Sequence, residues 1–289
     1  MAILEHGTYE KDGTVYKTLT LRDKNYALTC TPERGGTICS FQKDGEEYIW
    51  LRDGNFESTD RLRCGIPILF PCCGQPDQGV HHFDGNAFPM QVHGFACLLP
   101  WTVEQATDRE IVLSLKANGL TKFLYPFDFL LKQSYALRGN TAVFVLTVEN
   151  CSQVPMPYSI GYHPYFSTSS LDNVSFEISA DNVSDARDGS DPIRGKVTLP
   201  HAESGDDRCR YLRGVRSPMI LHDSGNQHTV TVRFEEARFP NAVLWEQEGE
   251  PFVCMEPWNG WFNSVNEEGN HEILNPGETR SYSWSITID

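Results

Sequence analysis

The sequence predicts an all-β protein, a large antiparallel sandwich, and three observations lead there. Apolar and polar residues alternate at a period of two along most of the chain, the signature of half-buried strands. No long apolar stripe at helical spacing, bounded by capping residues, interrupts that alternation. Turn signals rich in Gly, Pro, Asn and Asp separate the runs, as in Lys43-Asp44-Gly45, Arg138-Gly139-Asn140 and Asn275-Pro276-Gly277.

In chain order, residues 17–22, 26–31, 37–41, 66–70, 110–117, 129–137, 142–149, 229–234, 252–256 and 280–288 read as strands. The last is the clearest, with Tyr282, Trp284, Ile286 and Ile288 on one face and Ser281, Ser283, Ser285 and Thr287 on the other. Residues 252–255 are all apolar, the pattern of a strand buried on both faces. Residues 180–214 form the most polar stretch and read as a long excursion with one short strand around 196–199. That stretch is too short and too embedded for a linker, so residues 1–289 are expected to form a single domain. The tetrapeptide Asp-Asn-Val-Ser recurs at Asp172 and Asp181 but is too short to mark an internal repeat.

Against 39 Asp and Glu the chain sets 24 Lys and Arg, a net charge of -15 that repels phosphate backbones and anionic lipids. Neither nucleic acid nor membrane is an expected partner. The first residues lack a basic region followed by an apolar stretch, and no window reaches the ~18 apolar residues of a spanning helix, so a cytoplasmic location is expected. The 9 cysteines are odd in number and lie inside apolar runs or side by side, as with Cys72 and Cys73, which fits buried thiols in a reducing compartment. On that reading the sequons at Asn150, Asn173 and Asn182 carry no glycan.

Common signatures of other chemistries are missing. There is no Gly-x-Ser-x-Gly elbow and no Gly-x-Gly-x-x-Gly, and the stretch from Gly189 to Lys196 has the wrong glycine spacing for a P-loop. What remains is a set of polar residues where the surrounding sequence implies core. Glu256 follows Phe252-Val-Cys-Met255, and desolvation there would raise its carboxyl towards neutrality, as a general base requires. The alternative is a structural carboxylate accepting backbone hydrogen bonds. His163 lies among aromatics in Gly161-Tyr-His-Pro-Tyr-Phe166 and, like Glu256, precedes a Pro-aromatic pair, which favours extended backbone at a strand end. Its alternative is a satisfied core histidine. His93, in Val92-His-Gly-Phe-Ala96, and Arg63, leading into Cys64-Gly-Ile-Pro-Ile-Leu-Phe70, complete the set. Arg63 can donate several hydrogen bonds to a polyol or carboxylate, or be a solvated strand end. No metal is expected, because His81 and His82 are adjacent and point to opposite faces of an extended segment. Nothing marks Cys72 or Cys97 as an activated nucleophile.

Taken in order, the segments from Arg63 to Pro71, His93 to Ala96, Met156 to Phe166, Phe252 to Trp258 and Leu274 to Glu278 resemble the aldose 1-epimerase (galactose mutarotase-like) family, in its shorter bacterial-type branch. The resemblance implies an antiparallel β-supersandwich and an isomerase that opens and recloses a sugar ring without metal or organic cofactor. It implies Glu256 as the base on the anomeric hydroxyl, His163 as the acid on the ring oxygen, and His93 and Arg63 as substrate-orienting groups. Aromatics such as Tyr165, Trp258 and Trp261 could stack on a sugar ring or serve as core. The family also places a mid-chain aspartate on the sugar hydroxyls, for which Asp207 is the nearest candidate. Members acting on hexose 6-phosphates tend to carry an arginine after the His-Gly-Phe-Ala run, where this chain has Cys97. The expected substrate is therefore a free hexose, and the expected assembly a monomer or homodimer. Two rivals stand: a phosphosugar mutarotase holding its phosphate on Arg61, Arg63 or an arginine of residues 208–216, and a sugar-binding protein without catalysis.

Overall fold

The computed structural model describes residues 3–11, 13–52, 62–190, 192–193, 195–199, 208–267 and 269–289. The strands within them assemble into two broad antiparallel sheets and an N-terminal meander, so the expected antiparallel architecture is what the chain adopts. The larger sheet has eight strands in the order Val174–Glu177, Met219–Asp223, His228–Phe234, Thr279–Ile288, Thr141–Asn150, Phe129–Arg138, Ile111–Lys116 and Thr102–Ala106. Its two central strands alternate strictly: Tyr282, Trp284, Ile286 and Ile288 are buried, as are Ala142, Phe144, Leu146 and Val148 opposite them. Phe144 faces Trp284 in register, their rings stacked at 4.3 Å, a cross-strand pair of the kind that fixes sheet register.

The second sheet runs Asn182–Ser184, Arg208–Arg213, Asn241–Glu246, Phe252–Trp258, Gly161–Tyr162 and Ile68–Leu69, with Tyr165–Ser167 also paired to Phe252–Trp258. Both of its faces are covered. Ala242, Leu244, Val253, Met255 and Tyr162 join the main core with the inward residues of the eight-stranded sheet. Tyr211, Val243, Trp245, Phe252, Cys254 and Trp258 form a second apolar cluster on the opposite face. Double coverage is why Phe252–Trp258 shows no polar alternation, and each large side chain so buried contributes about 1.5–3 kcal/mol. A five-stranded meander (Ile3–Lys11, Thr14–Asp23, Tyr26–Cys30, Ile38–Lys43, Glu46–Glu47) adds Leu19, Leu21, Leu28 and Phe41 to the main core.

One α-helix occurs among the described residues, Gly119–Leu124, capped by Asn118, whose side chain accepts from the N–H groups of Leu120 and Thr121. Residues 195–199 contain no strand, contrary to the sequence expectation. The buried Arg210 donates instead to the carbonyls of Thr198 and Leu199 and to the Asp185 carboxylate, so a guanidinium satisfies the backbone a ladder would have paired. Asn150, the first sequon, is fully buried and bonded to Val154 O and Leu274 O. No helix of the described residues is long and apolar enough to cross a membrane.

Candidate active site

The second apolar cluster of the smaller sheet is open at its centre, where a cavity of ≈ 110 Å³ is lined by His93, His163, Glu256, Tyr211, Val243 and Trp245, among others. Strand register explains the gathering. Gly161 lies opposite Trp258 and Tyr165 opposite Cys254, which puts His163 directly across from Glu256. Glu256 in turn faces Val243, and Val243 faces Tyr211. The cavity floor is thus one cross-strand row, His163, Glu256, Val243 and Tyr211, on the face away from the main core.

The prolines that follow His163 and Glu256 also find their explanation here. Pairing between these neighbours is interrupted from Cys254 to Trp258, and both Pro164 and Pro257 fall in that interval. Neither can donate to a ladder. The strand that carries Glu256 does not end there, as the sequence implied, but continues through Pro257 to Trp258.

Glu256 is 1% exposed and His163 6%. Oε1 of the carboxylate lies 3.4 Å from His163 Nε2, while Oε2 accepts a hydrogen bond from Trp258 Nε1 at 3.1 Å. His163 is held from below by Tyr165, stacked at 4.7 Å, and from the side by Trp245 at 5.7 Å. Its backbone N–H donates to Pro67 O, and Tyr165 N–H to Gly65 O, fastening this segment to the stretch that follows Arg63.

His93 reaches the cavity from a turn, with its ring edge-on to His163 at 5.2 Å. Its φ of 67° is left-handed, uncommon for a non-glycine residue. The turn is fixed by Gly94, where a Cβ would approach Phe70 O to 2.1 Å. Gly74 N–H donates to His93 Nδ1 at 3.1 Å, so the neutral ring carries its proton on Nε2. His93, His163 and Glu256 offer ligand atoms within 4.8 Å of one another, by count a possible metal triad. The His93 hydrogen bond argues against that use, because a histidine binding metal through one nitrogen donates from the other, whereas here Nδ1 accepts.

Two loops that contribute Gln75 and Phe262 to the lining are locked together. Asp77 N–H donates to Asn263 Oδ1 and Asn263 Nδ2 to the Asp77 carboxylate; Asn266 bonds both Val80 O and the His82 N–H. Phe262 packs on Gly74, where a Cβ would lie 2.3 Å from its ring. At the mouth stands Arg187, its guanidinium 4.4 Å above the Phe262 ring and its Nε 3.4 Å from the Tyr211 hydroxyl, to which it donates. Burial keeps that hydroxyl well above the usual tyrosine range, hence protonated.

His163, Glu256 and His93 therefore come together as the sequence arranged them. Arg63 is half-buried and is not among the lining residues, while Asp207 and Arg61 lie outside the described residues. Of the candidate aromatics, Trp258 lines the cavity; Tyr165 underlies His163, and Phe262 rather than Trp261 forms the wall. Arg187 and Tyr211 escaped sequence reasoning because the first sits in a polar stretch and the second on a strand covered on both faces. His81 and His82 do diverge, one buried and the other exposed.

The protein LacX (chromosomal) of Lactococcus lactis subsp. lactis is 28% identical over 310 residues, 93% of this chain and 99% of its own. A Cenchrus ciliaris protein bearing the name "Putative glucose-6-phosphate 1-epimerase" is 23% identical over 263 residues, 83% of this chain and 70% of its own. The crystal structure of the Slr1438 protein from Synechocystis sp. PCC 6803 superposes with a TM-score of 0.85 at 27% identity, covering 94% of this chain and 95% of that one. With the aldose 1-epimerase family model matching residues 17–287, the chain belongs to that family of isomerases.

Proposed function

We propose that the protein interconverts the α and β anomers of a free hexose by acid/base-catalysed ring opening, with Glu256 as base and His163 as acid. The observation that carries this reading is a buried carboxylate and imidazole facing each other at 3.4 Å on the floor of a cavity. The two sugar oxygens that exchange protons sit on one carbon, so acid and base must converge on one spot. Glu256 takes the proton of the anomeric hydroxyl as the bond from C1 to the ring oxygen breaks, and His163 protonates that oxygen. The aldehyde then rotates about C1–C2. The C5 hydroxyl oxygen attacks C1, returning its proton to His163 while Glu256 returns the other, so protons balance over the cycle. Each such transfer contributes about 10²–10⁴-fold. His93 lines the cavity as a substrate-orienting group; the resemblance gives Arg63 and Asp207 the same role, but Arg63 does not line the cavity and Asp207 lies outside the described residues. A cavity of ≈ 110 Å³ beside the pair leaves room for the reacting end of a sugar.

Arg187 at the mouth favours a second reading, in which the hexose carries a phosphate that the guanidinium binds. Polarimetry of freshly dissolved α-D-glucose and α-D-galactose, with and without protein at low buffer concentration, tests the first. Acceleration with either sugar supports it; acceleration with glucose 6-phosphate alone would transfer the assignment to the second. No acceleration with any of them would leave sugar binding without catalysis.

A further inference from the structure

We infer that Trp258 is a positioning residue for the base: its indole N–H holds one oxygen of the Glu256 carboxylate and so favours the other, facing His163, as the place for the transferred proton. This rests on the reading of Glu256 as base. Residues 256 and 258 share a strand face, and the indole reaches back along it to Oε2 at 3.1 Å. Trp258 is 1% exposed, so water does not compete for the carboxylate oxygen at this bond. The ring itself has little freedom. Gly161 lies opposite in register, where a Cβ would come within 2.8 Å of the indole, and Phe262 and His93 pack on it with ring centroids 5.1 and 5.6 Å away.

Two chemically equivalent oxygens would let a buried carboxyl take its proton on either side. An indole N–H only donates and does not titrate at any working pH. It therefore holds Oε2 in every protonation state of the pair and biases a proton arriving at Glu256 towards Oε1, 3.4 Å from His163 Nε2. The same bond favours the ionised carboxylate against the desolvation that burial imposes. Trp258 thus biases where the proton sits and shifts the pH at which the base becomes available.

The test is the pH profile of kcat/KM for Trp258→Phe, which keeps an aromatic ring and removes the donor. The acidic limb should move upward by about one pH unit, the scale of one hydrogen bond to a charged group, and kcat above the limb should fall several-fold. A benzothienylalanine placed at position 258 keeps the shape of the indole with sulfur in place of N–H, and should shift the limb equally even if Trp258→Phe folds poorly. An indole that merely packs would change activity or Tm in the phenylalanine variant and leave the limb fixed in both, which overturns the inference. Glu256→Gln separates this from failure of the underlying reading. If it is inactive while the limb stays fixed in both Trp258 replacements, only the positioning role falls; if it keeps wild-type activity, both do.

Discussion

His81 should make the protein lose stability on mild acidification, before most carboxylates titrate. It is fully buried on the strand Val80–Phe83, and neither ring nitrogen makes a hydrogen bond. Burial first, then the neighbouring His82 and His271, lower its pKa from 6.5 to about 4. Above pH 6.5 the ring is neutral in both folded and unfolded chains and contributes no pH dependence. Between 6.5 and about 4 the unfolded chain takes up a proton that the fold refuses, so stability falls as pH falls. Below about 4 both states are protonated and the loss is complete. The interval corresponds to roughly 3 kcal/mol, of which about 2 kcal/mol is gone by pH 5. Urea unfolding at pH 7 and pH 5, wild type against His81→Leu, isolates this contribution. Other groups titrate in both proteins and cancel, including Glu47, which burial raises against its hydrogen bonds from Ser40, Ile49, Phe41 and Gln42. The variant should lose about 2 kcal/mol less than wild type between the two pH values. Equal losses in the two proteins would refute the reasoning. Asn266 bonds the backbone on both sides of His81, so the acid-weakened strand is tied to the segment that follows Phe262 of the cavity lining.

Two further outcomes follow from packing. In the native protein only the exposed Cys151 and the half-buried Cys209 should react promptly with a thiol reagent, since the other 7 cysteines are buried and burial pushes thiols such as Cys30 up to about 12; prompt titration of more than two would contradict the burial. Gly94→Ala should destabilise the fold by about 3 kcal/mol or more, because its φ is 74° and a Cβ would meet Phe70 O at 2.1 Å. Thermal unfolding measures the loss, and a variant as stable as wild type would show that the turn bearing His93 can relax.

The sequence was most legible where one face of a strand meets solvent. Residues 129–137, 142–149 and 280–288 were placed by alternation to within a residue or two of the strands Phe129–Arg138, Thr141–Asn150 and Thr279–Ile288. It was least legible at the two extremes of burial. Ile3–Lys11 has little covered surface on either side, while Arg208–Arg213 and Asn241–Glu246 place residues in cores on both sides, so neither kind alternates. The site followed the same division. His163 and Glu256 stood out as ionisable residues in apolar runs, each before a proline, and a broken ladder shared by neighbouring strands accounts for the coincidence. Tyr211 and Val243 join them through cross-strand register alone. Arg187 is an exposed arginine in a polar stretch, and only its approach to Phe262 and Tyr211 ties it to the cavity.

The most direct test of the account is the rate at which Glu256→Gln interconverts the anomers of the sugar that wild type turns over fastest, followed by polarimetry at equal protein concentration. Loss of the base while shape and burial are retained should slow the reaction by at least about 10²-fold with the fold intact. A variant within a few-fold of wild type would contradict the assignment of Glu256 and, with it, the proposed mechanism.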